Sequence, residues 1–166
     1  VTLIEIDGST FNHGLTRNLG VDRSNGDFCL LTVGDAYAVD EHWIQHLLDG
    51  FVDEEVLAVC GQQVVDHIPE NNPIDWFRPL TPPKIVRLQF NADEWKTIGA
   101  EEKKNAIGWD DVNAIYRRAA LQQQPFEKTS YSEDAIWAYH ALQRGYAITY
   151  NKNARVYHYH NEDSDF

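Results

Sequence analysis

Short apolar runs alternate with helix-like stretches along most of this chain, and this alternation limits the folds that it can adopt. The apolar runs are rich in β-branched and aromatic residues and are bounded by turn residues, a pattern typical of strands. We expect strands at VTLIEI (1–6), FCLLTV (28–33), EVLAVCGQQVV (55–65), VNAIYR (112–117), AITY (147–150) and ARVYHYH (154–160). Strands that alternate with helices predict an α/β fold with a mostly parallel sheet.

The stretches between these strands carry the signals that begin and end helices. Asp40 and Ser132 are both of the residue types that cap helix N-termini. We expect helices at residues 11–24, 40–51, 93–105, 119–124 and 132–145. The second of these helices has apolar residues at helical spacing, which predicts that one face packs inward. The residues of that face are Trp43, Ile44, Leu47 and Leu48.

Residues 66–93 differ from the rest because they contain most of the prolines of the chain. Trp76 and Phe77 lie in the middle of this stretch, and aromatic residues in a Pro-rich loop indicate a folded excursion rather than a linker. The length of 166 residues fits one domain or part of one. The sequence shows no internal repeat and no apolar run of transmembrane length.

The balance of charge argues against several classes of partner. Lys and Arg number 14 against 26 Asp and Glu, which gives a formal net charge of −12. A general nucleic-acid binder needs basic patches that displace counterions, so this class is disfavoured. An anionic ligand would need local help from a metal, an arginine or a helix N-terminus. Cys29 and Cys60 both lie in apolar strands, which predicts buried free thiols and a reducing compartment.

Asp35 follows the apolar run FCLLTV in the sequence Gly34-Asp35-Ala36. Ligands of α/β sheets bind outside the carboxyl ends of the strands, and Asp35 lies at one such end. One interpretation of this carboxylate is a turn residue that only ends the strand. The other is a ligand for Mg²⁺ or Mn²⁺, which prefer oxygen donors and often take only one or two protein carboxylates.

Two histidines lie in the run VYHYH near the end of the chain. In a strand, His158 and His160 point to the same face. Two imidazoles on one face can bind a metal or contact a phosphate, or they can be exposed or hydrogen-bonded histidines without a ligand. A structural zinc site would need three or four nitrogen or sulfur ligands, which buried cysteines do not supply here.

Two helices carry further polar candidates. Glu133 and Asp134 fall in the first turn of the last helix, where the helix dipole alone favours acids and where a carboxylate can also act as a general base. The segment FNHGLTRNLG (11–20) has polar side chains that form either a solvated face or a phosphate-binding face. These side chains are Asn12, His13, Arg17 and Asn18.

Five segments, in this order, resemble the family 2 glycosyltransferases, most closely their bacterial rhamnosyltransferase-like branch. They are FNHGLTRNLG, LTVGDA with VDEHW, VNAIYRR, SEDAIWAYHALQRGY and ARVYHYHN, and the resemblance covers residues 1–161. It implies a GT-A type fold, an α/β nucleotide-sugar-binding sandwich around a mixed, mostly parallel sheet. It also implies that residues 1–166 are a single partial domain that lacks the opening segment of the family.

Members of this family transfer a sugar from a nucleotide-diphosphate donor to an acceptor hydroxyl and invert the anomeric centre. The resemblance implies that Asp134 is the catalytic base. It implies that Asp35 and His158, with His160 as the alternate, bind Mg²⁺ or Mn²⁺. The residues expected at the donor are Arg17, Asn18, His13 and Gly34, and those expected at the acceptor are Glu133, Trp137 and Asp111.

The resemblance has one departure within the matching residues, because Tyr37 stands where the second acid of a DxD-type motif would be. Metal dependence is therefore an open alternative. The branch suggests a deoxythymidine-diphosphate rhamnose or uridine-diphosphate sugar donor and a glycan or lipid-linked acceptor of bacterial cell-surface polysaccharide synthesis. It suggests a cytoplasmic location, including the inner face of the membrane. Without the opening segment, we expect residues 1–166 alone to bind donor weakly and to turn over little or nothing.

Three other functions fit parts of the sequence. A sugar-nucleotide-binding module without activity would keep the donor residues and lose the chemistry. A metal-dependent hydrolase could use Asp35, His158 and His160, although no further ligand cluster with suitable spacing accompanies them. A partner-binding domain could use the loop that holds Trp76 and Phe77.

Overall fold

The computed structural model describes residues 2–64 and 81–158, which form an α/β domain. The strands are β1 (Phe28–Leu31), β2 (Tyr37–Ala38), β3 (Val56–Val64), β4 (Ile85–Leu88), β5 (Ala114–Arg117) and β6 (Ala147–Tyr157). The helices are α1 (His13–Arg23), α2 (Trp43–Asp49), α3 (Ala92–Thr97), α4 (Ala100–Ala106), α5 (Arg118–Gln123) and α6 (Glu133–Gln143). Residues 66–80 of the predicted excursion, with Trp76 and Phe77, lie outside the described residues, and so does His160. The described part of that stretch contains strand β4 and is therefore not only loop.

One mixed sheet contains all of these strands, in the order β1-β5-β3-β6, with β2 and β4 both pairing with the far side of β6. The predicted mixed α/β architecture is confirmed. Within the described strands, however, only β3 and β6 are parallel, and the other pairs are antiparallel. The expectation of a mostly parallel sheet is therefore wrong for this part of the chain, because β5 enters between β1 and β3 from the edge at which they end.

Several element boundaries differ from the sequence-based expectation. Residues 2–7 have no regular structure, since no strand of the described residues pairs with them. The segment 93–105 forms two short helices, because the backbone adopts an extended conformation at Ile98 and Gly99. The two strands expected at 147–150 and 154–160 are one strand, β6, which continues through a register shift against β3.

The core has two faces, one on each side of the sheet. The larger face is dominated by aromatic side chains from α3, α6, the strands and the loops before β5 and α6, namely Trp95, Trp109, Tyr116, Phe126, Trp137 and Tyr150. On the other face α2 packs against β3, and Leu47 is fully buried there. Ile44 and Leu48 were expected to face inward but are 52% and 37% exposed, because this short helix buries only a narrow stripe.

The all-apolar run of β1 is typical of a strand buried on both faces, but β1 is an edge strand within the described sheet. It pairs only with β5, and Phe28 at its start is exposed. Cys29 on β1 and Cys60 on β3 are buried and free, so the prediction of two core thiols is confirmed. No helix among the described residues has the length and apolar character that a membrane crossing requires.

The strand directions bring distant segments to one edge of the sheet. Leu31 near the end of β1 and Cys60 on β3 both pair with Ala114 at the start of β5, because β5 runs antiparallel to both. Strand β6 ends beside the end of β3, since these two are parallel and Val64 pairs with Tyr157. We call this the carboxyl edge, and it holds the loop after β1, the turn before β5 and the end of β6.

Candidate functional site

Helix α1 is fixed on the loop that precedes α6. The side chain of Asn12 caps α1 by accepting from Leu15 N at 3.1 Å, and its amide donates to Thr129 O at 2.6 Å. Asn18 exchanges two hydrogen bonds with the backbone of Phe126, at 2.9 and 3.0 Å. The side-chain amide of Asn18, which was predicted to lie at the donor, thus forms the hydrogen bonds that hold α1 to the loop before α6.

Close packing enforces the same placement of α1. Gly14 is buried against the backbone carbonyl of Glu127, and a Cβ at this position would overlap that oxygen. Glycine is therefore required at this contact for a steric reason. The consequence is that the middle of α1, which carries Arg17, faces the start of α6.

Arg17 joins two buried carboxylates. Its Nε lies 3.2 Å from Asp111 Oδ2, and its Nη1 contacts Glu133 Oε1 directly. Asp111 is fully buried and Glu133 is 4% exposed, whereas the Arg17 side chain keeps 18% exposure. Buried carboxylates are stable only when they are paired and hydrogen-bonded, so one guanidinium serves both acids.

Asp111 is also held by a chain of hydrogen bonds that runs through two aromatic side chains, Trp109 and Tyr116. Trp109 Nε1 donates to the Tyr116 hydroxyl at 2.6 Å, and that hydroxyl donates to Asp111 Oδ1. Burial raises the pKa of Asp111 to about 7, with Asp134 and Asp110 adding to the rise and Arg17 opposing it. The pKa of Tyr116 is raised well above its usual value, first by burial and then by Asp111.

Asp134 stands at the first turn of α6, half-buried at the carboxyl edge. Its Oδ1 accepts from Ala135 N at 2.8 Å, and its Oδ2 accepts from Asp111 N at 3.2 Å. Ser132 occupies the N-cap position, but its backbone is left-handed with φ 63° and its side chain makes no capping bond. The predicted capping role of Ser132 is therefore wrong, because this backbone geometry turns the chain sharply instead.

Asp35 and His158 meet at the carboxyl edge, although the sequence separates them widely. His158 Nε2 lies 3.6 Å from Asp35 Oδ1, and His158 Nδ1 lies 2.9 Å from Gln63 Oε1. The Asp35 side chain is 53% exposed, and that of His158 is 13% exposed. If Nδ1–H donates to Gln63, Nε2 of a neutral imidazole presents its lone pair toward Asp35, and such a pair of acceptors suits a cation.

Within residues 2–64 and 81–158, no group of three or more His, Cys, Asp and Glu side chains is arranged to hold a metal ion. Asp35 and His158 by themselves supply one oxygen and one nitrogen ligand. Mg²⁺ and Mn²⁺ commonly complete such small protein ligand sets with phosphate oxygens and water. The Asp35 oxygen and the His158 nitrogen therefore fit a cation that the phosphates of a ligand help to hold.

Two residues predicted at the donor lie on open surface. His13 is exposed, and its ring packs edge-on against Phe11 at 4.8 Å between centroids. Gly34 is exposed next to Asp35, and among the described residues no atom beyond its chain neighbours lies within 4 Å of the position that a Cβ would take. Neither residue is fixed there by core packing, so their role at the donor stays a prediction.

The residues predicted at the acceptor have contacts inside the protein. Trp137 is 2% exposed, and its Nε1 donates to Gln124 O at 2.8 Å. Its ring packs against Tyr116 at 4.7 Å between centroids. Asp111 and Glu133 are bound to Arg17, as described above. All three side chains are buried among these contacts, and their role at the acceptor stays a prediction.

Sequence reasoning missed Trp109, Tyr116 and Gln63. The apolar context of Tyr116 indicates only a core position, and nothing in the sequence shows that its hydroxyl reaches a carboxylate. A usable signal was the pair Asp110-Asp111, which stands directly before an apolar strand. Two acids at such a place predict either a turn or a site.

Comparisons with known proteins identify two similar sequences. The chain is 32% identical over 168 residues to "O-antigen chain rhamnosyltransferase WbaN" of Salmonella anatum, which covers 96% of the chain and 50% of that protein. It is 29% identical over 169 residues to "O-antigen chain rhamnosyltransferase RfbN" of Salmonella typhimurium (strain LT2), which covers 97% of the chain and 50% of that protein. No protein-family model matches the chain.

A solved structure has the same fold. The crystal structure of Staphylococcus aureus TarS 1-349 superposes with a TM-score of 0.57 at 14% sequence identity, over 88% of this chain and 40% of that one. The chain spans about half the length of the curated relatives that it matches. It is thus similar over nearly its whole length to about half of each of these O-antigen rhamnosyltransferases, and it shares a mixed α/β fold with part of TarS.

Proposed function

We propose that this chain is part of an inverting family 2 glycosyltransferase with a GT-A type fold. In this proposal the enzyme moves rhamnose, or a related sugar, from a nucleotide diphosphate to the hydroxyl of a glycan or lipid-linked acceptor in cell-surface polysaccharide synthesis. One observation carries the proposal: Asp35, His158 and the pair Asp111–Asp134 belong to the same edge of the sheet. They do so in a chain related to O-antigen rhamnosyltransferases.

Asp134 is the proposed general base. It is half-buried, and the backbone amides of Asp111 and Ala135 each donate to one of its carboxylate oxygens. These bonds fix the direction of the carboxylate, while each oxygen keeps a lone pair. An ionised carboxylate can take the proton of an acceptor hydroxyl as that oxygen attacks the anomeric carbon. A displacement from the face opposite the leaving group needs only this one base, which agrees with inversion.

Asp35 and His158 are the proposed ligands of a divalent cation, Mg²⁺ or Mn²⁺, with His160 as a further candidate. Such a cation stabilises the negative charge that develops on a departing nucleoside diphosphate. Gln63 would orient the His158 ring through the contact at Nδ1, as groups hydrogen-bonded to metal-binding histidines do. The carboxylate of Asp35 is open enough to meet a phosphate-bound cation.

The exposed loop beside these ligands supports donor binding. Gly34 leaves space next to Asp35, which allows close approach of a phosphate to the backbone. His13 is an exposed group on α1 with a hydrogen-bonding ring. We propose both as donor contacts and expect the rest of the donor site to involve residues outside the described ranges. A peripheral position at the inner face of the membrane belongs to the same proposal.

The test is a transfer assay with the intact protein. Nucleotide sugars, including deoxythymidine-diphosphate rhamnose and uridine-diphosphate sugars, are incubated with glycan acceptors, with and without Mn²⁺, and the product is analysed by NMR. The proposal expects one donor to give a glycoside whose anomeric configuration is opposite to that of the donor. Retained configuration would contradict inversion, and free sugar as the only product across a broad acceptor panel would indicate a hydrolase.

A further inference from the structure

We propose that Arg17 is a positioning residue for Asp134 and acts through Asp111 and Glu133 instead of binding the donor phosphates. The proposal rests on the proposed function, in which Asp134 is the base. An arginine near a nucleotide-sugar site is ordinarily interpreted as a phosphate ligand, because its guanidinium matches phosphate oxygens. The contacts of Arg17 in this fold point elsewhere.

The guanidinium of Arg17 is already engaged by protein groups. Nε faces Asp111 Oδ2 at 3.2 Å, and Nη1 contacts Glu133 Oε1. Both carboxylates are buried, so removing their cation would leave two acids in a low-dielectric environment. A donor phosphate would have to share this guanidinium with two buried acids.

Both partners of Arg17 connect directly to the base. The backbone amide of Asp111 donates to Asp134 Oδ2 at 3.2 Å, and Glu133 is the residue that precedes Asp134. The entry into α6 passes through Ser132, whose left-handed backbone makes the turn sharp. A shift of Asp111 or Glu133 therefore moves the carboxylate of Asp134. Arg17 holds both of them from a third element, α1.

Arg17 also balances the charge around the base. The groups that face Asp111 are Arg17 from α1, Asp110 from the preceding turn, Tyr116 from β5, Cys60 from β3 and Glu133 and Asp134 from α6. Among these groups Arg17 is the cation and three are carboxylates, and Asp111 itself is a fourth. Carboxylates at close range resist simultaneous ionisation, so loss of the guanidinium promotes proton uptake at higher pH.

The experiment compares Arg17→Gln and Arg17→Lys with Arg23→Gln in the intact protein. Arg23 is an exposed residue at the end of the same helix, so it controls for a change of charge on α1. We expect Arg17→Gln to lower kcat on the order of 100-fold, the size of effect that a misplaced reacting group produces. We also expect the acid limb of its kcat profile to move to higher pH, while the donor Kd changes less than twofold. Arg17→Lys should fall in between, because an ammonium lacks the planar fork that reaches two acids.

A rise of tenfold or more in donor Kd with an unmoved acid limb would overturn the proposal in favour of phosphate binding. A second readout needs no activity: the ¹³C chemical shift of the Asp111 carboxyl is followed against pH in the wild type and in both variants. The midpoint should move to higher pH in Arg17→Gln, and an unchanged midpoint would contradict the proposal. Arg17→Lys keeps a cation, and it serves for both readouts if Arg17→Gln does not fold.

The two proposals fail in distinguishable ways. Absence of transfer by the wild type, with the Asp111 titration responding to Arg17 as expected, would contradict the proposed function and leave the charge network in place. Normal transfer by Arg17→Gln, with an unmoved acid limb, would contradict the role of Arg17 and leave the proposed function in place.

Discussion

The two halves of the candidate site are built in opposite ways. Around Asp134, buried partners fix every direction: Arg17, Asp111 and Glu133 are ion-paired, and backbone amides hold the carboxylate itself. At Asp35, the carboxylate is half exposed, and His158 is the ionisable group opposite it at 3.6 Å. One half is rigid before any ligand arrives, and the carboxylate of the other half is open to solvent.

This difference follows from what each half would do in the proposed reaction. A general base acts within hydrogen-bond reach of one proton and gains from a fixed geometry. A site for a phosphate-bound cation gains from open positions, because the donor brings its own oxygens. The protein would thus prepare the base in advance and complete the leaving-group side only when donor binds. Four experiments can break or sharpen this contrast, in order of decreasing expected effect.

Asp134→Asn should give the largest loss, because an amide keeps the shape of the side chain but cannot accept the proton. We expect transfer to fall about 1000-fold while donor binding stays unchanged. Initial rates and a donor titration measure the two effects separately. Asp22→Asn on the exposed side of α1 is the control for a removed charge. Full transfer by Asp134→Asn would show that the rigid half does not hold the base.

Asp35→Asn should weaken donor binding in the presence of Mn²⁺ by about 10- to 100-fold, since it removes the carboxylate ligand of the open half. The measurement is donor Kd with and without Mn²⁺. Asp40→Asn is a matched control in the following loop, because its side chain is also exposed. Equal binding by Asp35→Asn and wild type would mean that the leaving group is stabilised without this carboxylate.

Tyr116→Phe tests the rigidity of the buried half. The substitution leaves Trp109 Nε1 without its acceptor and Asp111 without a donor, so we expect a loss of about 1–3 kcal/mol in the free energy of unfolding. Urea denaturation measures this loss. Tyr139→Phe, in the same core but outside this chain of hydrogen bonds, is the control. A loss no larger than that of the control would show that the aromatic chain does not support Asp111.

The stability of the buried half should depend on pH through Asp111. Folding raises its pKa from 3.8 to about 7, so the folded state binds the extra proton between these values. The contribution of Asp111 to the free energy of unfolding is therefore fully present below about pH 4 and is lost as the pH rises toward about 7. Relative to Asp111→Asn, wild-type stability should fall with pH in this window by up to about 1.4 kcal/mol per unit. Denaturant titrations at several pH values check this, and parallel curves for the two proteins would contradict it.

Local features of the sequence predicted much of the fold. The helix expected at residues 11–24 is α1 (His13–Arg23), and the apolar runs predicted strands β3 and β5. Residues 2–7 do not form the predicted strand. A strand needs a partner for its hydrogen bonds, and an alternating pattern of apolar and polar residues does not by itself supply one. The direction of β5 was not predictable either, since strand propensity is the same in both directions.

The candidate site, like the fold, has features that the sequence predicted and features that only the folded chain shows. The residue types and their order determined which chemistry is available: a carboxylate at a strand end, a histidine on the last strand and acids at the start of a helix. Only the tertiary structure decided what each group contacts. Trp137 became a core residue because α6 turns it toward Tyr116, and Arg17 became the partner of two buried acids because α1 is fixed on the loop before α6. Sequence patterns report interactions within a few residues, whereas burial and ion pairing depend on segments that only the folded chain brings together.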